Sequence, residues 1–470
     1  MDPEVRRDIN HITREIRKTH RSTRNRVLSI IKDSRFVTKV SQHISADIPI
    51  IPNERCGSWY IDPSKYETTT YFKSTDGHIN NWDFSTRRLN FHILPLISKN
   101  GGAIIVDSTR RGKKMPDALS KTIPIWAAIL NCIMLGPDKN YWLSTPSETV
   151  VFSERSRMLD KMPELYSKAI DTLVTGGTIN KQILSDLFGG KPLVPIWVYP
   201  EFSLPPPFEK NLDYYPIYLL TASYRCEDGM DTRNGFTYVQ GAADDEELWG
   251  DGFTSSMLWN NLDMFADLRN TEQDVLDLID SLKLSNNVGF CSSAGNPLTD
   301  VPLIITPQFS IAKLHPNIII TREARDETFH LYDLVLILDE SATIEEELEG
   351  KAHTEIKQFK LTSSSKKSSK ILRNLLPEIM SIIESNLLSS KRILITCSTG
   401  DDLSVGVILC VLCKCYSGIG ALNCSSAKNF IDKSLIRRKL VYLIELCAKS
   451  NKRINPSRAT LNSVNSYLMS

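Results

Sequence analysis

The chain has 470 residues, enough for two or three domains with ample core. Lys and Arg number 56 against 55 Asp and Glu, the formal net charge is +1, and 41% of the residues are hydrophobic, as in an ordinary soluble globular protein. The longest apolar run, around Val405, is too short to span a bilayer, and the polar, basic N-terminus lacks a signal-peptide core, so neither a membrane span nor secretion is expected. Ten cysteines lie scattered without a regular framework, which suits buried thiols in a reducing, cytoplasmic compartment.

Residues 1–40 hold eleven Lys or Arg against five Asp or Glu. Arg6, Arg7, Arg14, Arg17, Lys18, Arg21, Arg24 and Arg26 fall in a segment with weak helical periodicity through Ile9, Ile12, Ile16 and Val27. This is either a basic arm fit for a phosphate backbone or a solvated basic helix. Further on, RCGSWY (55–60) leads into a turn at Asp62-Pro63, and YFKSTDGH (71–78) reads as a short strand and turn. Trp82 and Phe84 follow, and Arg87-Arg88 begins a stretch toward His92. Aromatics interleaved with Lys73, Arg87, Arg88 and Asn residues suit ribose, phosphate and base contacts. His78, with Asp76 just before it, is either a proton-transfer group or a turn residue.

Ala103–Asp107 (AIIVD) predicts a buried strand that runs into Ser108, Thr109, Arg110, Arg111, Gly112, Lys113 and Lys114. An acid at the carboxyl end of a strand, followed by a small polar and basic turn, is a common place for phosphate and metal contacts in α/β folds. Its cations either neutralise a polyphosphate or RNA backbone or form an exposed basic loop. Thr122-Ile123-Pro124 opens an apolar helix through Trp126, Ile129 and Leu130. Helical periodicity covers Met158–Leu173 and Ile179–Leu187, and strands are expected at Val194–Tyr199, Ile217–Ser223 and Gly235–Val239. The last is followed by QGAADDEE (240–247). There Asp244 and Asp245 either hold Mg²⁺ through oxygen ligands or cap a helix toward Trp249.

A composition shift at Leu284–Asp300 separates two expected domains, 1–285 and 300–470. Beyond it, strands are predicted at Asn317–Thr321 and Leu334–Leu338, a solvated acidic helix at Asp339–Glu349, a linker by composition at Thr362–Lys370 and a helix at Ile371–Leu388. Then KRILITCSTGDDLSVGVILCVLCKCY (391–416) gives a strand, a tight polar turn and an apolar helix. The turn consists of Cys397, Ser398, Thr399, Gly400, Asp401 and Asp402, and Ser404 opens the helix. Free backbone N–H groups at such a junction converge on one spot, and the helix dipole favours an anion there. The layout resembles the signature loop of cysteine-dependent phosphatases, a Cys followed by five residues, an Arg and a Ser or Thr. Here Leu403 stands at the Arg position and Thr396 replaces the preceding His. The loop reads as a phosphate cradle without the fork that phosphoryl transfer needs, or as an ordinary buried junction. Cys410, Cys413 and Cys415 lie in the apolar helix without a second ligand pair at zinc-site spacing, and read as core.

One combination is specific. YFKSTDGH (71–78), FSTRRLNFH (84–92), VDSTRRGKKMPDALSKTIPIWAAILN (106–131), YVQGAADDEELW (238–249), CSTGDDLSVG (397–406) and NPSRATLNSVNSYLM (455–469) resemble the initiator-tRNA ribosylphosphate transferases of fungi and plants, in order along almost the whole chain. The resemblance implies an α/β chain in which a family-specific N-terminal domain precedes a domain similar to dual-specificity phosphatases, with Thr362–Lys370 inside the latter. It implies transfer of the 5-phosphoribosyl group of phosphoribosyl pyrophosphate to the ribose 2′-hydroxyl of adenosine 64 of cytosolic initiator methionine tRNA, which keeps that tRNA out of elongation. The Cys397–Ser404 loop would hold a donor phosphate. Asp107 to Lys114 would supply cations and a possible Mg²⁺ ligand. Lys73, Asp76, His78, Arg87 and Arg88 would belong to the reactive or RNA surface. The rivals are an active phosphatase with Cys397 as nucleophile, and an RNA-binding protein with a catalytically dead phosphatase fold.

Overall fold

The computed structural model describes residues 20–469 apart from 75–81, 87, 111, 176, 234, 247–248, 289–295, 316, 346–353, 363–365, 388–390, 418–420, 423–430, 451, 453 and 455. Asp76, His78, Arg87 and Arg111 therefore lie outside the described residues. The chain divides into two compact units, Met1–Cys291 and Ser292–Ser470.

The first unit starts with α1 (Thr23–Ile44), whose Val27, Ile30, Ile31, Val37, Val40 and Ile44 recur at helical spacing and are buried. Ser22 caps it, and the Glu272 carboxylate accepts hydrogen bonds from Thr23 N and Arg24 N at 2.9 Å each. Four parallel strands follow in the chain: β1 (Ile50–Pro52), β2 (Ala103–Asp107), β3 (Leu193–Val198) and β4 (Tyr215–Thr221). Their order in the sheet is β1-β2-β4-β3. A parallel sheet is covered on both faces, and β2 is accordingly apolar from Ala103 to Val106, with every residue through Asp107 buried. Full burial of each of Ile104, Ile105 and Val106 contributes roughly 1.5–3 kcal/mol.

The connections carry α2 (Leu94–Asn100), α3 (Ile123–Leu135), α4 (Phe152–Ala169) and α5 (Lys181–Phe188). With the wide turn before it, α3 forms an apolar helix over Ala118–Leu135, long and apolar enough to cross a membrane, and 83% of it is buried within the unit. This helix, rather than the Val405 run, is the most membrane-like stretch among the described residues, and its burial makes it a core helix. On it, Asn131 accepts from Leu193 N and donates to Leu193 O, both at 2.9 Å, at the start of edge strand β3. A hairpin, β5 (Met230–Arg233) and β6 (Phe236–Val239), and the helices α6 (Ser255–Asn260), α7 (Leu262–Phe265) and α8 (Glu272–Val288) complete the unit.

The second unit is built on a five-stranded sheet. Its strands are β7 (Leu303–Thr306), β8 (Phe309–Lys313), β10 (Leu334–Ile337), β12 (Glu355–Gln358) and β13 (Ile393–Cys397), with β9 (Ile319–Ile320) and β11 (Thr343–Ile344) forming a separate parallel pair. The order is β12-β10-β13-β8-β7, parallel except for β7 against β8. Helices α9 (Arg322–Thr328), α10 (Lys366–Leu387), α11 (Leu403–Lys414), α12 (Lys433–Lys449) and α13 (Arg458–Leu468) surround it. Gly406 brings α11 close to α13, since a Cβ there would stand 2.6 Å from Thr460 Cγ2. Cys410 and Cys413 are buried in α11 among apolar neighbours, and burial pushes the Cys413 thiol up to about 12.

Two expectations fail. The Ser/Lys-rich stretch read as a linker already turns helical at Lys366, so it starts α10. The acidic stretch from Asp339 is not a solvated helix in its described part. Asp339 is buried, its carboxylate accepts from Ser341 N at 2.7 Å, and Thr343–Ile344 is extended.

Candidate active site

β2 delivers Asp107 to the carboxyl edge of the first sheet with its carboxylate fully buried. Asp107 Oδ1 accepts from Ser108 N at 2.8 Å and from the Cys56 thiol at 2.9 Å, and Oδ2 accepts from Asn53 Nδ2 at 3.0 Å. Arg55 lies across both oxygens, Nη2 to Oδ1 and Nε to Oδ2 at 3.4 Å each. The same guanidinium donates to Ser108 O and to Asp244, which is 189 positions away in the chain. Burial works against the Arg55 charge, but the carboxylates of Asp107 and Asp244 outweigh it and raise its pKa. Burial pushes the Cys56 thiol far up, so it remains a donor.

The turn after β2 is pinned from several sides. Ser223 Oγ accepts from Thr109 N at 3.2 Å and donates to Thr109 O at 2.9 Å, and Ser108 Oγ donates to Tyr60 OH at 3.1 Å. Gln240 accepts from Gly112 N and donates to Lys113 O, both at 2.8 Å. Gly241 sits at φ +63°, and a Cβ there would stand 2.6 Å from Thr109 O, so glycine lets the 240–245 loop close on the turn. That closure brings Arg110 to Asp244 (Nε to Oδ2, 3.3 Å) and to Asp245. Lys114 donates to Glu148 at 2.7 Å, which also accepts from Tyr199 OH at 2.6 Å. Lys113 lies 3.7 Å from Asp117. Of the other expected residues, exposed Lys73 accepts at its carbonyl from Thr122 Oγ1, and Arg88 stacks on the Tyr71 ring, 3.4 Å from its centroid.

In the second unit, β13 ends at Cys397, which is buried. Its Sγ accepts from Gly400 N at 3.2 Å and lies 3.2 Å from Ser404 Oγ and 3.6 Å from Thr399 Oγ1. Gly400 (φ +69°) packs against Lys313. Leu403, at the phosphatase Arg position, is buried. Asp402 accepts from Ser457 N at 2.8 Å, and burial raises the Asp401 carboxyl. Ser398, Thr399 and Asp401 form the partly exposed lip of the loop.

Residues 16–284 match the family profile described as the Rit1 N-terminal domain, and residues 355–468 match the Rit1 DUSP-like domain. The chain belongs to the Rit1 family. It is 41% identical over 505 residues to the tRNA A64-2′-O-ribosylphosphate transferase of Saccharomyces cerevisiae, across 100% of this chain and 96% of that protein. It is 33% identical over 474 residues to an uncharacterised protein of Schizosaccharomyces pombe, across 96% of this chain and 95% of that one. The crystal structure of Tk-PTP in the active form aligns with 36% of this chain and 98% of its own, at 15% identity and a TM-score of 0.23. The fold is thus that of Rit1: an N-terminal α/β domain followed by a DUSP-like α/β domain.

The Rit1 N-terminal domain gathers Asp107, Ser108, Thr109, Arg110, Asp244 and Asp245 into one place. Residues 241–245 form turns, and helical backbone resumes at Glu246, whose carbonyl accepts from Trp249 N and Gly250 N; residues 247–248 lie outside the described residues. The acids do not fit a resident Mg²⁺. Both Asp244 oxygens are taken by Arg55 and Arg110, Asp245 pairs with Arg110, and among the described residues no group of three His, Cys, Asp or Glu side chains could hold a metal. Asp107, with both oxygens occupied, holds the Arg55 guanidinium in place. Arg55 and Cys56 were not singled out as site residues from the sequence. Their signal was the apolar run Ile48–Pro52, a short strand in front of Asn53 and Arg55, parallel to the strand that carries Asp107.

Proposed function

We propose that this Rit1-family chain is a tRNA 2′-O-ribosylphosphate transferase that uses phosphoribosyl pyrophosphate to modify adenosine 64 of initiator methionine tRNA in the cytoplasm. The observation that carries this reading is the end-to-end similarity to the tRNA A64-2′-O-ribosylphosphate transferase of Saccharomyces cerevisiae. In the reaction the bond from donor C1 to the pyrophosphate oxygen breaks and a bond from C1 to the ribose 2′-oxygen forms. The 2′-hydroxyl proton is lost and pyrophosphate leaves. Negative charge grows on the leaving group as positive character grows on the sugar, so preorganised cations are the main requirement. Arg110, Lys113 and Lys114 supply them on a turn whose backbone is held by Ser223 and Gln240. Magnesium travelling on the donor's pyrophosphate belongs to the substrate and asks for no protein cage.

The test is an incubation of the full chain with initiator tRNA, Mg²⁺ and donor labelled in its ribose, with elongator methionine tRNA as control. Label in the initiator tRNA alone, with release of pyrophosphate, is the expected result. Binding of tRNA without label would leave the RNA-binding reading in its place.

A further inference from the structure

Beside the Asp107–Arg55–Asp244 network the first unit contains a cavity of about 300 Å³, at the lower end of the roughly 300–1,000 Å³ in which small ligands bind. Its walls include Arg21, Arg26, Arg110, Gly241, Asp244 and Asp245. Three arginines, from the segment leading into α1, from α1 itself and from the turn after β2, thus line one small space. Arg26 is fixed: Nη1 donates to Ala242 O at 2.7 Å, Nε donates to Arg21 O at 3.3 Å, and the guanidinium lies 5.4 Å from the Trp249 ring centroid. Arg110 is 52% exposed, so its pairing with Asp245 is an exchangeable surface contact. Burial, and then the neighbouring charge of Arg21, press the Arg26 pKa down, while Asp245 and Asp244 in the cavity wall oppose.

From this we infer that the cavity is the seat of the donor's pyrophosphate, with Arg21 and Arg26 as binding residues and Arg110 exchanging Asp245 for the ligand. The inference rests on the transferase reading above. It assigns Arg21 and Arg26 to the small-molecule donor, where the sequence had suggested an RNA backbone. The position fits the chemistry, because the cavity shares Arg110 and Asp244 with the turn that follows β2. Planar guanidiniums in convergent array hold phosphate oxygens bidentately, which a lysine does not.

Inorganic pyrophosphate is titrated calorimetrically into the full-length chain, its Arg21→Gln variant and its Arg26→Gln variant, and donor and tRNA KM are measured on the same proteins. At least a tenfold loss of pyrophosphate affinity and a tenfold rise in donor KM are expected, with tRNA KM within twofold. Arg26→Gln removes the hydrogen bond to Ala242, so a lowered Tm would leave Arg21→Gln to decide. A rise in tRNA KM alone would hand these arginines to the RNA, and unchanged constants in a folded Arg21→Gln variant would overturn the assignment. Arg21-dependent pyrophosphate binding in a chain that fails to modify any tRNA would keep the site and sink the transferase reading. Label transfer with an unchanged donor KM would do the reverse.

Discussion

Two junctions in this chain have the same outline. β2 runs into the Ser108–Lys114 turn, and β13 runs into the Cys397–Asp402 turn. Each lies at the carboxyl edge of a parallel sheet, and each is closed by a glycine at positive φ, Gly241 against Thr109 and Gly400 against Lys313. Their charges differ. The first gathers Arg55 and Arg110 around two buried acids, Asp107 and Asp244, with Lys113 and Lys114 on the same turn paired to Asp117 and Glu148. The second places Asp401 and Asp402 beside an inward-facing thiol and buries Leu403 where phosphatases keep an arginine. The same strand–turn outline thus supplies oriented N–H groups in both, beside cations in the first and acids in the second.

The largest test of the comparison is Arg55→Met. It strands Asp107 as a buried charge without its cation, and removing one partner of a buried pair costs about 3–5 kcal/mol. A stability loss of that size by urea denaturation, together with loss of transfer, is expected; a shift under about 1 kcal/mol would show that Asp107 does not depend on Arg55. Next comes a matched pair. Gly241→Ala and Gly400→Ala each force a non-glycine residue into the left-handed region, at roughly 1–3 kcal/mol each. Both should lower Tm, whereas only Gly241→Ala should reduce kcat/KM beyond the loss of folded protein. Equal catalytic losses would erase the distinction between the junctions.

A sharper probe of the second junction is Thr399→Glu, which adds negative charge to its lip. Donor KM within about twofold of the parent, under 0.5 kcal/mol, is expected, and a tenfold rise would move a donor phosphate into the Cys397 loop. The smallest effect concerns pH. Burial raises the Asp244 carboxyl, with Arg55 and Arg110 opposing. Between the unfolded value, about 3.9, and the higher folded value, the folded chain keeps a proton that the unfolded chain has released. This contribution is complete below the unfolded pKa and is lost as pH rises through the folded one. Asp244→Asn should flatten that part of the stability–pH curve, and an unchanged slope would mean that Asp244 titrates normally.

What could be read from sequence follows physical range. Ala103–Asp107 was legible because four apolar residues in a row, after two glycines, have little alternative to a buried strand. The Cys397 loop was legible because its spacing is local. The salt bridge from Arg55 to Asp244 was not, since no periodicity links residues 189 positions apart. Asp339 misled for the same reason: an acid in an acidic run looks solvated until the fold closes over it.

The Asn131 amide, which takes both the N–H and the C=O of Leu193, has a consequence for life at high concentration. β3 is the outer strand of its sheet, and an outer strand offers its open backbone groups to any extended chain that arrives. By imitating a neighbouring strand at the first residue of β3, one side chain occupies the place where an intruding strand would begin to pair. A leucine at 131 would fit the apolar helix well and remove that plug, so the damage should surface as self-association rather than as a lost active site.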